Sequence, residues 1–260
     1  MKRTLLASAA ALLLAAPAFA ADLPSRQPAP APFVSAPPMF TWTGFYAGVN
    51  AGWSQNRADI ANRGFTGTGG AGAYPSFSTA KRHSFIGGFQ AGYNQQFGNF
   101  VAGVEADINW LGNRRGSGSA AIAGLPGAVT TVSASSRLDW LGTVRGRAGF
   151  AFDRVLIYGT AGFAFGAPDN RLMISNAATM THTGSNNKTK VGWTVGGGLE
   201  YAVLDNVSLR GEYLYYDLGR SNVTANPTAA GTAAGLGGAS NTARFENTGH
   251  IARIGLNYRF

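Results

Sequence analysis

The sequence predicts an all-β protein: an eight-stranded antiparallel transmembrane β-barrel behind an N-terminal signal peptide and a Pro-rich linker. Three observations carry this. Strand-like segments alternate apolar and polar residues with period two, as in Ile251–Phe260, where Ala252, Ile254, Leu256, Tyr258 and Phe260 share one parity and Arg253, Asn257 and Arg259 the other. The gaps between such segments are alternately short and long, as short periplasmic turns and long external loops require. Outward-facing aromatic residues gather at two depths, the two interfaces of a bilayer.

Residues 1–20 are read as an export signal. Lys2 and Arg3 are its basic start, Leu5 to Ala16 its apolar stretch and Ala18-Phe19-Ala20 its cleavage site. Residues 21–43 are read as a Pro-rich periplasmic linker, because six of the eleven prolines fall between 22 and 41, and proline removes ladder donors and favours extended chain. Residues 44–260 are read as the barrel, with strands at 44–56, 83–97, 99–112, 136–152, 154–167, 189–203, 206–219 and 246–260. Tight turns fall at Gly98-Asn99, Asp153-Arg154 and Leu204-Asp205-Asn206. The segments 57–82, 113–135, 168–188 and 220–245, rich in Gly, Ser, Thr, Asn and Ala, are read as external loops.

With the first strand rising from the periplasm, Trp53, Phe85, Trp110, Trp140, Phe165, Trp193 and Tyr215 mark the external edge. Phe45, Phe97, Phe100, Phe152, Tyr201 and Phe260 mark the periplasmic one. Leu138 is assigned to the lipid face with Trp140. The opposite parity holds five acids and five bases: Glu105, Asp107, Asp139, Glu200 and Glu212, with Arg145, Arg147, Arg210, Arg253 and Arg259. Eight strands leave an interior just wide enough for side chains, so these charges are expected to pair and plug the lumen. If Arg145, Arg147, Arg210 and Arg253 pair with Glu105, Asp107, Glu200 and Glu212 the lumen is closed; if they splay to the wall they line a pore. Gly44, Gly48 and Gly52 share one strand face and leave lumen room for Tyr46 and the arginines.

Composition excludes other classes. With no cysteine there is no disulfide framework and no thiolate chemistry. Without Lys2 and Arg3 the chain keeps 19 basic and 12 acidic residues, a formal +7. Its expected anionic partner is lipid phosphate rather than nucleic acid. External cations Arg57, Lys81, Arg82, Arg114, Arg115, Lys188 and Lys190, with Arg63, Arg171, Arg220 and Arg244, face only Asp59 and Asp169 in this reading, and form a rim for lipopolysaccharide phosphates. His83, His182 and His250 map to external positions. A converging haem or metal site and unconnected surface histidines are the two readings, and the lipid-side parity of His83 and His250 favours the second. No metal site, cofactor or catalytic residue is expected. Ser133, Ser135 and Ser136 have no histidine at matching depth, and no lysine follows Gly196-Gly197-Gly198 as a phosphate loop would need.

The stretch Thr41-Trp42-Thr43-Gly44-Phe45-Tyr46-Ala47-Gly48-Val49-Asn50-Ala51-Gly52-Trp53, the Ala-Asp-Leu-Pro at residues 21–24 and the ending Tyr258-Arg259-Phe260 resemble the small alphaproteobacterial outer-membrane proteins. That family is similar to the transmembrane barrel of OmpA. The resemblance implies a structural surface protein of the outer membrane, supporting the envelope and contacting the host, with Tyr258 and Phe260 read by the barrel-assembly machinery. Some relatives bind haemin. A narrow small-solute channel and a surface haem-binding receptor are the alternatives.

Overall fold

The computed structural model describes residues 40–67, 76–79, 82–112, 115–122, 130–176 and 179–260. The signal, most of the linker, Lys81 and Arg114 lie outside these residues.

Among the described residues eleven strands follow in chain order: β1 Gly44–Gly67, β2 Phe77–Ser78, β3 Arg82–Phe97, β4 Phe100–Leu111, β5 Gly116–Ile122, β6 Thr130–Phe152, β7 Val155–Asn176, β8 Thr179–Asn186, β9 Lys190–Ala202, β10 Val207–Pro227 and β11 Ala239–Arg259. Eight of them form a closed antiparallel ring, β1-β3-β4-β6-β7-β9-β10-β11. The ring closes where β1 pairs β11, from Tyr46 opposite Arg259 to Gly67 opposite Ala239. Closure leaves no ladder edge facing lipid within the band.

Short connections turn at one end. Gly98 and Asp153 take positive φ, 61° and 52°. Only a left-handed residue lets so few residues reverse the chain, and aspartate tolerates that region better than most. In the middle of the barrel the parity is that of a membrane span: Phe45, Trp53, Phe89, Val104, Phe150, Phe163, Leu199 and Ile254 are exposed, while Asn50, Gln90, Thr143, Thr194 and Asn257 are buried.

The segments read as external loops are largely strand. β1 runs on to Gly67, β7 to Asn176 and β10 to Pro227, while β6 starts at Thr130 and β11 at Ala239. Two short strands, β5 on β6 and β8 between β7 and β10, extend the sheet further. Above the lipid band the polarity inverts. Ala58, Ile60, Val132, Ala134, Leu172, Ile174, Val223, Ala225, Ala243 and Phe245 point inward and form one buried cluster. Arg57, Ser133, Arg171, Asn222 and Thr224 are exposed. A wall that meets water must be polar outside and apolar inside, so the same strands continue with their faces exchanged.

A bulge in β6 between Leu138 and Leu141 corrects one face assignment. It moves Leu138 from the lipid wall into the interior, where it is buried with Ile86, Leu111, Leu141, Ala164, Leu214, Tyr216, Leu218 and Ile251. At the periplasmic end Trp42, placed in the linker by the sequence reading, is 1% exposed against Val101, Ala151, Leu156, Tyr158 and Ala202, with Phe40 packed on it. Its indole Nε1–H donates to the Asp153 carbonyl at 3.1 Å. The interior is therefore tiered: an aromatic floor, a charged layer, an apolar septum and an apolar external core.

Candidate functional site

The charged layer is built by inward positions of five strands. Glu105 and Asp107 come from β4, Arg145 and Arg147 from β6, Glu200 from β9, Arg210 and Glu212 from β10 and Arg253 from β11. Period two puts each pair of neighbours on the same face, and ladder register brings Glu105 opposite Arg145, Arg210 opposite Glu200 and Glu212 opposite Arg253. These eight side chains are at most 4% exposed.

Arg145 is the hub. It donates to Glu105, to Asp107 Oδ2 at 2.8 Å, to Glu212 Oε1 at 3.0 Å and to the Thr143 hydroxyl at 2.9 Å. Arg253 donates from Nε and Nη2 to Glu212 Oε2 at 2.8 and 2.6 Å and from Nη1 to Asp107 Oδ1 at 3.1 Å. Arg210 donates to Glu105. Arg147 reaches Glu200 at 2.8 Å and the Tyr46 hydroxyl at 3.0 Å, and its guanidinium lies 3.9 Å from the Tyr158 ring centroid. Tyr46 in turn donates to Glu105 at 2.6 Å and Tyr158 to Glu212 at 3.0 Å. Four acids meet four bases, so the layer is neutral, and each charge has an opposite partner where water no longer reaches, though Arg147 Nε and Arg210 Nε and Nη2 make no hydrogen bond. Small residues make room: a Cβ on Gly92 would collide with the Tyr46 ring, and one on Gly52 with Arg253.

Two residues expected in this network lie outside it. Asp139 lies within the β6 bulge, is 44% exposed in its side chain and pairs with Arg137 at 2.9 Å. Arg259 sits at the periplasmic mouth, donates to the Asp205 carbonyl and stacks on Phe40, centroid distance 4.5 Å. Alanine at either position is expected to change stability by less than ~0.5 kcal/mol, the usual range for exposed sites, as checked by urea unfolding in lipid vesicles. A loss several times larger at Asp139 would restore it to the network.

The external cations are better balanced than the sequence reading held. Arg57 pairs Asp59 at 2.9 Å and Arg220 pairs Glu246 at 2.6 Å. Arg115 and Arg171 both bind Asp169, at 2.8 and 3.2 Å, and these hydrogen-bonded guanidiniums hold its carboxyl below its ordinary pKa against the opposing effect of burial. Lys188 is exposed between β8 and β9, and Lys190 begins β9 on the parity of buried Thr194. Arg82 begins β3. At the last strand, Tyr258 and Phe260 stand on the outer face with ring centroids 5.2 Å apart.

The histidines do not form one site. His182 is buried in β8, with Nε2 3.2 Å from the Ala239 carbonyl oxygen, and burial lowers its pKa. His83 and His250 are exposed on the outer wall, on either side of Gln55.

Sequence reasoning missed the septum and the floor. A signal existed for the septum: Phe85-Ile86, Trp110-Leu111, Trp140-Leu141 and Tyr213-Leu214 are consecutive apolar pairs, each breaking the alternation at the height of the external aromatics. Only a lumen apolar at that height needs both neighbours apolar.

Residues 6–260 match the family described as outer membrane protein beta-barrel domain. The chain belongs to this family. Members near it in sequence include the 31 kDa outer-membrane immunogenic protein of Brucella melitensis biotype 1, 37% identical over 262 residues and covering 100% of both chains. The 22 kDa outer membrane protein of Rhizobium leguminosarum bv. viciae is 35% identical over 152 residues, 57% of this chain and 61% of that one. Among solved structures, the outer membrane protein OprG from Pseudomonas aeruginosa superposes with a TM-score of 0.47 at 12% identity, covering 84% of this chain and 97% of that one. This family member is an outer-membrane protein, and its exposed aromatic belts lie where a bilayer has its interfaces.

Proposed function

We propose that the chain is a sealed structural barrel, which strengthens the outer membrane and presents its external strands outward without conducting solutes. The observation that supports this is the filling of the lumen by four mutually paired arginine and carboxylate partners, between an aromatic floor and an apolar septum. An ion entering this path would have to break hydrogen-bonded charge pairs and then cross a largely apolar layer, in which Ser54, Ser84 and the Tyr216 hydroxyl are buried beside Ile86, Leu214 and Ile251. Lys188 and the other rim cations serve the same role, holding outer-leaflet phosphates at the barrel's edge.

Planar-bilayer recording of the refolded mature chain tests this. The wild type is expected to give no steps above the bare bilayer. Glu105→Ala is also expected to stay silent, because the floor and septum remain. Steady wild-type conductance would make solute diffusion the function instead. A variant that conducts would make the charge layer the sole seal.

A further inference from the structure

The lipid-facing wall carries a polar row that the lumen does not use. His83 of β3, Gln55 of β1 and His250 of β11 are ladder partners in one row across three strands, all on the parity of Trp53, Phe85 and Ala252. They line a shallow groove of about 330 Å³ together with Trp53, Tyr213 and Ala252. An imidazole or carboxamide set against acyl chains would give up hydrogen bonds that nothing there replaces. The groove therefore belongs at the level where lipid is polar. The aromatic girdle marks that level independently. Trp53 and Phe85, in edge contact at 6.4 Å between centroids, lie two residues below Gln55 and His83. Two residues on a tilted strand put Gln55 and His83 about 5 Å outside Trp53 and Phe85, while His250 pairs with Tyr215 of the same girdle, so the row lies at the interface where headgroup phosphates are reached.

The groove is held in shape. Tyr213 Oη lies 2.7 Å from His250 Nδ1, and the Tyr215 ring packs on the same imidazole with centroids 5.1 Å apart. The Gln55 amide lies 3.3 Å from His83 Nε2. An amide nitrogen only donates, so His83 Nε2 accepts and its proton sits on Nδ1, while Gln55 keeps a second amide proton. The Tyr213 contact uses His250 Nδ1, so Nε2 is the ring nitrogen left to meet a ligand. One outward step above, Arg57 faces the same side. Two imidazoles, a carboxamide and the Arg57 guanidinium, which also pairs Asp59, make a surface able to donate to a phosphate, and its access from the membrane plane suits one carried by a lipid.

We propose that the His83–Gln55–His250 groove seats the phosphate of an outer-leaflet lipid headgroup. This deepens the rim reading above, and rests on its premise that outer-leaflet phosphates meet the barrel's external edge. It adds a site none of the rim lysines or arginines but Arg57 belongs to. The mature chain is refolded into phosphatidylcholine bilayers containing a minor fraction of bisphosphorylated lipid A or of its dephosphorylated form. Retained lipid is then counted by native mass spectrometry. Wild type is expected to retain the phosphorylated lipid about tenfold over the dephosphorylated one, the size of a single charge-assisted hydrogen bond. His83→Ala/His250→Ala is expected to lose that preference, and Gln55→Leu, which keeps both imidazoles and the apolar wall, to reduce it. Each variant is checked for the folded form by its resistance to unfolding in gel electrophoresis. Unchanged preference in the folded histidine variant overturns the site. If Lys188→Ala/Lys190→Ala abolishes the preference instead, phosphate is bound at the rim alone and the groove is overturned while the rim reading stands. No preference in wild type overturns both.

Discussion

Glu105→Ala is expected to cost about 3–5 kcal/mol of stability. The residue accepts from Arg145, Arg210 and Tyr46 at once, and its own side chain is 2% exposed. Removing it leaves two guanidiniums in a lumen where water cannot replace the lost carboxylate. The layer also passes from neutral to one net positive charge. Deleting one partner of a buried ion pair is costly for this reason, even where the whole pair contributes little. The measurement is urea unfolding of the refolded protein in lipid vesicles, read from the tryptophan fluorescence. A second variant separates charge from packing: Glu105→Leu with Arg210→Met restores neutrality with apolar groups of similar length. It is expected to recover much of the loss, though Arg145 then keeps only Asp107 and Glu212 as carboxylate partners. A loss under about 1 kcal/mol for Glu105→Ala would mean that water enters the layer, and the seal would then rest on the floor and septum alone.

Phe245→Ala is expected to cost a comparable ~3–5 kcal/mol, by the cavity it leaves, but in a different part of the molecule. Phe245 is fully buried and lies opposite Ile60 on β1 and Ser221 on β10, within the apolar cluster above the membrane. Because that cluster is separated from the septum by polar positions such as Asn56, Ser136 and Asn247, the loss should stay local. Hydrogen exchange is expected to accelerate in the external ends of β1, β6, β7, β10 and β11 and to remain slow in the lipid band. Uniform acceleration down to the periplasmic turns would show that the two cores unfold as one.

How far the sequence could be read follows from what each environment demands. Lipid requires an apolar outer wall, so the faces of Phe45–Trp53 or Ile254–Phe260 were legible, and the charges opposite them pointed to a filled lumen. The external strands were not. Their inward residues are mostly Ala, Val and Ile interleaved with Ser, Thr and Asn, a composition that resembles a loop unless the exchange of faces is anticipated. Ala58 and Ile60 stand between Arg57, Asp59 and Ala61, which is ordinary amphipathic alternation shifted by one residue from the membrane rule. Asp139 and Leu138 were misplaced by a bulge, and a one-residue insertion reverses every face beyond it. Trp42 was hidden by its neighbourhood, since proline-rich chain before it carries no periodicity.

The closure of β1 on β11 also sets an order of events. These strands share twenty paired positions between opposite ends of the barrel sequence. Ladders such as β3 with β4 or β6 with β7 join neighbours through two-residue turns and can form as soon as both are made. The seam must wait for the whole chain, and it pays the largest loop-closure entropy of any pairing here. Until then both terminal strands expose unpaired backbone along their full length, so the maturing protein is most open to wrong partners at its last step and safest immediately after it.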